Sequence, residues 1–240
     1  MRPRDIVLEQ IEHHETRPVP YVLHFEGDVA ERLDGYYGST EWRSRLTTYI
    51  ASVPGVQILV QEPIGGGMAR DTFGGLWRMD RRPYHLDKPP LERPSLEGYE
   101  FPGPEKFIRP EHKAQALELC EKLKDSFLVA SMGWGLFEAS WGLRGFEGAL
   151  IDAAAAPDFY EAVLDRLTDN YLAFVDFVAD LPVDGIMFGD DWGDQRGVIL
   201  GPERWRRFMK PRYARIYEAV HAQGKLVVSH CCGSIADIMP

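Results

Sequence analysis

"PERWRRFMKPRYARIYEAVHAQGKLVVSHCCGS", residues 202–234, contains one complete passage from helix to strand. Trp205, Phe208, Met209, Ile216, Tyr217 and Val220 recur at helical spacing, so the first part predicts an amphipathic helix with a single apolar stripe. Pro211 has no N–H to give the helix and should kink or split it. Gly224 is placed as a left-handed C-terminal cap. The run that follows, "KLVVS" at 225–229, is continuously apolar, as expected of a strand covered on both faces in a parallel sheet.

The same rhythm recurs upstream. "PYVLHF" (20–25), "VQILVQE" (56–62), "FLVASM" (127–132) and "GIMFG" (185–189) are four further strand candidates, which makes five in all. Between them "PDFYEAVLDRLTDNYLAFVDFVADL" carries Leu164, Leu167, Tyr171, Phe174, Val175 and Val178 at helical spacing behind a Pro157-Asp158 start. "EHKAQALELCEKLKD" predicts a shorter helix that packs outside the sheet and holds Cys120. Serial strand-helix units of this kind predict an α/β chain and, at this length, one (β/α)8 barrel domain. Five strands are three short of closure, so the barrel is expected to be incomplete, with about five units and an open edge that a partner or a second copy would cover. Residues 63–109 break the rhythm. They are rich in Gly, Pro and aromatic residues and predict an excursion of hairpin and loops that forms a lid or pocket wall. The "GGG" within it, at 65–67, lacks the companions of a P-loop and is read as a turn.

Composition excludes several classes. The 240 residues are 45% hydrophobic and 27% charged, enough for a sizeable core. A net charge of −10 opposes nucleic-acid binding. No apolar run approaches the ~20 residues of a membrane span, and the N-terminus has acidic and histidine residues where a signal peptide is apolar. Three cysteines, two of them adjacent, make no disulfide framework, so a cytoplasmic location is expected.

In parallel α/β folds the residues just past the strands line the site. Three strand ends carry polar clusters: His24, Glu26 and Asp28; Asp190, Asp191, Trp192 and Asp194; and His230 with Cys232. Side chains alternate along an extended chain, so His230 and Cys232 share a side while Cys231 points away. Imidazole and thiolate so placed suit one Zn²⁺, and Gly233 lets the backbone turn away. A catalytic zinc needs a third protein ligand, for which Asp190, Asp191 or His24 is within reach of neighbouring strand ends. The other reading of the pair is a satisfied polar contact beside a small buried hydrophobe. Asp190 and Asp191 in sequence should repel, which would raise one pKa and leave a proton donor or acceptor; turn formation and helix capping are the alternative. Arg204, Arg206, Arg207, Lys210, Arg212 and Arg215 are read as a solvated helix face.

"DTFGGLW", "WGLFEASWGLRGFEGALID" and "DDWGDQRGVILGPERWRRFMKPRYARIYEAVHAQGK" followed by "HCCGSI" resemble, in this order, blocks of the uroporphyrinogen decarboxylase superfamily. The resemblance spans roughly residues 50–240 and is strongest to the methyltransferase branch related to methylcobamide:coenzyme M methyltransferases. It implies a (β/α)8 barrel in which 225–229 is the fifth strand. It also implies a zinc site whose His-x-Cys-Gly ligands here are His230 and Cys232, a third cysteine ligand that this chain does not match, and a corrinoid-carrying partner protein. Methyl transfer to a thiol is then the expected activity, with Asp190 or Asp191 orienting a ligand or supporting His230, and with His24, Asp71 and Trp192 in the wall of a small-molecule pocket. The superfamily's decarboxylases imply a second reading, in which Asp71, Asp190 or Asp191 would hold pyrrole N–H groups. The N-terminal "YVLHFEGD" is acidic where those enzymes are basic, which favours methyl transfer. A non-catalytic barrel remnant that binds a partner protein is the third.

Overall fold

The computed structural model of the chain describes residues 1–53 and 61–239. Helix α1 (Pro3–Ile11) begins on a proline that pre-sets its first turn, and Asp5 returns a carboxylate to the backbone N–H of Arg2. Helix α2 (Gly27–Tyr37) follows, then strand β1 (Ile50–Val53). Next come four short strands, β2 (Gln61–Gly65), β3 (Met68–Asp71), β4 (Leu76–Arg78) and β5 (His85–Lys88). The rest alternates: α3 (Pro110–Lys122), β6 (Phe127–Trp134), α4 (Leu136–Arg144), α5 (Phe146–Ala155), α6 (Pro157–Phe177), β7 (Gly185–Gly189), α7 (Pro202–Phe208), α8 (Lys210–Ala222) and β8 (Leu226–His230).

Strands β1, β6, β7 and β8 form a parallel sheet in that order, and β2 to β5 form a separate antiparallel meander. The parallel sheet with its helices is a partial (β/α)8 barrel, as the sequence predicts, with four parallel strands among the described residues rather than five. Its outer face, including Val53, Leu128, Ala130, Ile186 and Phe188, shares one core with α3 to α8. Its inner face carries Ile50, Val129, Met187, Leu226 and Val228, and Ile6 and Val7 of α1 pack there beside Tyr49 and Phe127. Arg4 fastens α1 by a 2.7 Å bond to Asp184, whose other oxygen accepts Leu128 N. The strand-start end of the arc is therefore plugged, which leaves chemistry to the other end.

Two expectations need correction, and a third lies almost wholly outside the described residues. "PYVLHF" at 20–25 is an extended arm without a sheet ladder; Pro20 brings no N–H, and the apolar side chains pack instead, Tyr21 edge-on to Tyr49 and Phe25 edge-on to Trp42. The first parallel strand is β1 instead. The candidate at 56–62 falls almost wholly outside the described residues; its last two, Gln61 and Glu62, open the antiparallel β2. Arg212 of the basic run is buried, with Asp165 at 2.8 Å and the Phe208 carbonyl at 2.7 Å. Three local readings hold. The helix splits at Met209 ahead of Pro211, Gly224 is left-handed at φ 68°, and Gly65, Gly66 and Gly67 all have positive φ in the β2–β3 turn. Among the described residues no helix is long and apolar enough to cross a membrane.

The excursion at 63–109 is tied to the barrel by a buried ion pair. Arg144 at the end of α4 meets Asp152 of α5 at 2.5 Å and also donates to the Leu91 carbonyl, while Leu91 N donates to Leu143 O. Both charged side chains are less than a tenth exposed. Truncating one partner strands the other charge, so Arg144→Met should lower unfolding free energy by about 3–5 kcal/mol in urea titration.

Candidate metal centre

Strands β7 and β8 run side by side in register, Gly189 opposite His230, so the segments that follow them leave the sheet together. Asp190 N donates to the His230 carbonyl, which extends the ladder by one bond. The Asp190 side chain then turns into the core and is 1% exposed. Its two oxygens accept from Phe137 N, Glu138 N, Trp192 Nε1 and Tyr213 Oη at 2.7–3.0 Å. It thus caps the N-terminus of α4 from another strand. Gly135 makes room for it, since a Cβ there would fall 2.2 Å from Asp190 Cβ. Burial pushes Asp190 up to about 6 although all four donors pull the other way.

Asp191, next in sequence, faces outward, where Oδ1 accepts Cys232 N at 2.8 Å and lies 3.8 Å from His230 Nε2. His230 Nε2 is in turn 3.4 Å from Cys232 Sγ. One ligand atom from each of these three residues lies within 4.8 Å of the others. Zinc bonded to sulfur at about 2.3 Å and nitrogen at 2.0–2.1 Å in a tetrahedron puts those atoms about 3.5 Å apart, close to the separation present. The donor set therefore fits, with Asp191 in the third position. Cys232 is not a ready nucleophile alone, because the hydrogen-bonded Asp191 carboxylate raises its thiol pKa.

The loops after β7 and β8 are held by close backbone contact. Ser234 N donates to Asp194 O at 2.8 Å, and a Cβ on Gly233, at φ 75°, would sit 2.3 Å from the Gly193 carbonyl carbon. Cys231 turns away, packs against the core and accepts Trp192 N. Cys120 is buried in α3.

The other expected residues lie apart from the triad. His24 is exposed on the 20–25 arm and lines a cleft with Trp42 and Ser52. Asp71 is buried and accepts Phe73 N, Gly75 N and Trp77 Nε1, so it holds the β3–β4 turn. Trp192 is buried between Trp205 and Tyr213. The expected catalytic role of Asp190 meets a side chain fully occupied by architecture.

A sequence profile of the family described as uroporphyrinogen decarboxylase (URO-D) matches residues 79–240. The chain belongs to this family. No curated protein sequence matches it. Among solved structures it is similar to a methyltransferase from Methanosarcina mazei, with a TM-score of 0.68 and 16% identity over 99% of this chain and 72% of that one. At that identity the likeness shows the fold.

Within the family fold, one residue at the site escaped the sequence reading. Glu138, in the first turn of α4, is half-buried, and desolvation, then the charges of Asp190 and Asp191, push it up to about 8, against the backbone N–H groups of Gly135 and Asp191. The only sequence signal was its place four residues past the end of β6. A carboxyl with a raised folded pKa stays protonated while the unfolded chain ionises, so it subtracts stability as pH rises from about 4.5 to about 8. Glu138→Gln in metal-free protein should match the parent near pH 4.5 and exceed it increasingly up to pH 8, as read by urea titration across pH. Asp190→Asn puts an amide donor against backbone donors and should cost about 2–3 kcal/mol in the same measurement at pH 7.5.

Proposed function

We propose that the chain is a zinc-dependent methyltransferase of the uroporphyrinogen decarboxylase family that moves a methyl group from a methylated donor to a thiol. The donor that fits the resemblance is a corrinoid on a partner protein. The observation that carries this reading is the meeting of Asp191, His230 and Cys232 at the ends of two adjacent strands. The name of the structural neighbour points the same way.

Three protein ligands leave a fourth position for an acceptor, as catalytic zinc sites do. Zinc held there would supply the Lewis acidity that lowers the pKa of a thiol. The chain's own residues do the rest. His230 and Cys232 present nitrogen and sulfur from one side of β8 and its continuation. Asp191 fixes the turn by accepting Cys232 N and offers its carboxylate to the ion. Glu138, close to the two aspartates, is the nearby group whose raised pKa lets it exchange a proton near neutrality. The tetrapyrrole reading has less support, because two of its three candidate carboxylates, Asp71 and Asp190, are already engaged by three and four donors, which leaves Asp191 alone to hold pyrrole N–H groups.

Elemental analysis after stoichiometric zinc loading tests the proposal. The parent should retain one zinc per chain. His230→Ala and Cys232→Ser should weaken zinc by more than the ten- to hundredfold that loss of an outer-shell partner costs, and Asp191→Asn, which keeps one ligating oxygen, should weaken it by less than either of those two. Zinc-loaded protein should methylate a thiol from methylcobalamin. A parent that holds no zinc, or triad variants that hold it as tightly, would end the metal reading.

A further inference from the structure

A cavity of about 370 Å³ opens where the antiparallel sheet meets the end of β6 and α4. Three of the chain's six tryptophans line this one space: Trp77 of β4, Trp134 at the end of β6 and Trp141 of α4. Trp77 and Trp134 meet edge to face, their centroids 5.4 Å apart at 76°, and Trp134 leans on Trp141 at 5.0 Å and 35°. The rings therefore make a corner rather than a flat stack, and a corner turns π faces in two directions. Trp77 is held in place by its Nε1, which donates to Asp71 Oδ2 at 2.6 Å. Trp141 Nε1, by contrast, is buried with no hydrogen-bond partner among the described residues, whereas a buried indole N–H usually finds one. One donor in the wall is left open for a ligand.

The electrostatics select the kind of ligand. Among the described residues no lysine, arginine or histidine lines the space. Arg82, which lies over the ring of the neighbouring Tyr84, is answered by Glu26 at 2.8 Å. Acids are close by. Glu138 precedes Trp141 by three residues on α4, so the two share a helix face. The buried Asp190 carboxylate lies under the turn that follows Trp134, where a Cβ on Gly135 would fall 2.3 Å from Asp190 Cγ. On the other side, a Cβ on Gly189 would meet the carbonyl oxygen of Gly133, a wall residue, at 3.5 Å and His230 Cδ2 at 3.9 Å. Cavity and metal centre are thus separated there by no more than the side chain that Gly189 lacks.

π faces backed by uncompensated acids suit an organic cation. A protonated amine would need several acceptors to replace its water, and the Trp134 carbonyl is already taken by Tyr171 Oη. A quaternary ammonium has no N–H to satisfy. We propose that this cavity binds a quaternary methylammonium group, with an oxygen of the same ligand accepting from Trp141 Nε1. The inference requires neither zinc nor methyl transfer.

Titration calorimetry of the full chain with choline tests it against 3,3-dimethylbutan-1-ol, which has the same shape without the charge. Choline should bind about tenfold more tightly, as a desolvated cation on tryptophan faces does. Trp134→Leu and Trp141→Leu should each remove most of that preference, in variants whose urea midpoint shows that they fold. Trp141→Phe keeps a ring in place without the N–H, and should weaken choline and the neutral alcohol alike, severalfold. Tyr36→Leu, at an exposed aromatic of α2, should change nothing. Cys232→Ser should leave choline affinity as it is in the parent. Equal affinity for choline and the neutral alcohol, or phenol bound more tightly than choline, overturns the cation site. So does a preference that survives both leucine variants. Choline binding lost in Cys232→Ser would assign the ligand to the metal centre and overturn the proposal, while choline binding kept in a chain that holds no zinc leaves it standing without the metal reading.

Discussion

The site depends on one buried carboxylate. Asp190 is the point at which β7, α4, α8 and the loop after β7 are joined, because its four donors come from Phe137, Glu138, Trp192 and Tyr213. With no side chain of its own to cap it, α4 would begin with unsatisfied N–H groups inside the core, a costly state. Meeting them from β7 instead makes the end of that strand rigid and turns the next residue, Asp191, outward. Functional direction at this loop is thus a by-product of a packing requirement.

Backbone proximity supplies the second half of the geometry. The β7 and β8 loops approach so closely at Gly193 and Gly233 that neither position has room for a side chain. Register delivers His230 opposite Gly189, and the loop contact fixes Cys232 against Asp191. The strand-start end of the sheet is meanwhile filled by α1, so ligands have access to the same end at which these loops meet.

How far the sequence revealed this depended on how local each feature was. Helix 157–177, strand 185–189 and the break before Pro211 follow from periodicity and from a missing N–H, which a short window contains. Whether "PYVLHF" forms a ladder or a packed arm depends on a partner elsewhere, and an apolar run looks the same in both cases. The alternation rule was enough to pair His230 with Cys232. It could not tell Asp190 from Asp191, since which of two adjacent carboxylates turns inward is decided by donors on α4 and α8. Glu138 was missed for a related reason, as its raised pKa comes from burial and from aspartates distant in sequence.

Charge distribution sets this end of the barrel apart from the rest of the fold. Two other buried or half-buried carboxylates have an arginine, Asp152 with Arg144 and Asp184 with Arg4, while Asp71 is answered by three neutral donors. Among the described residues no lysine or arginine pairs with Asp190, Asp191 or Glu138, and the imidazole of His230 is the one basic group beside them. Leaving acids together without a fixed cation raises pKa values and costs stability, a pattern more common at functional sites than in structural networks. A divalent ion at the His230–Cys232 pair would reverse each of those shifts at once, drawing protons off the thiol and the carboxyls. The unbalanced charge and the ligand geometry are therefore two expressions of one arrangement, in which a bound divalent ion, as proposed above, would take the place that Arg144 has beside Asp152.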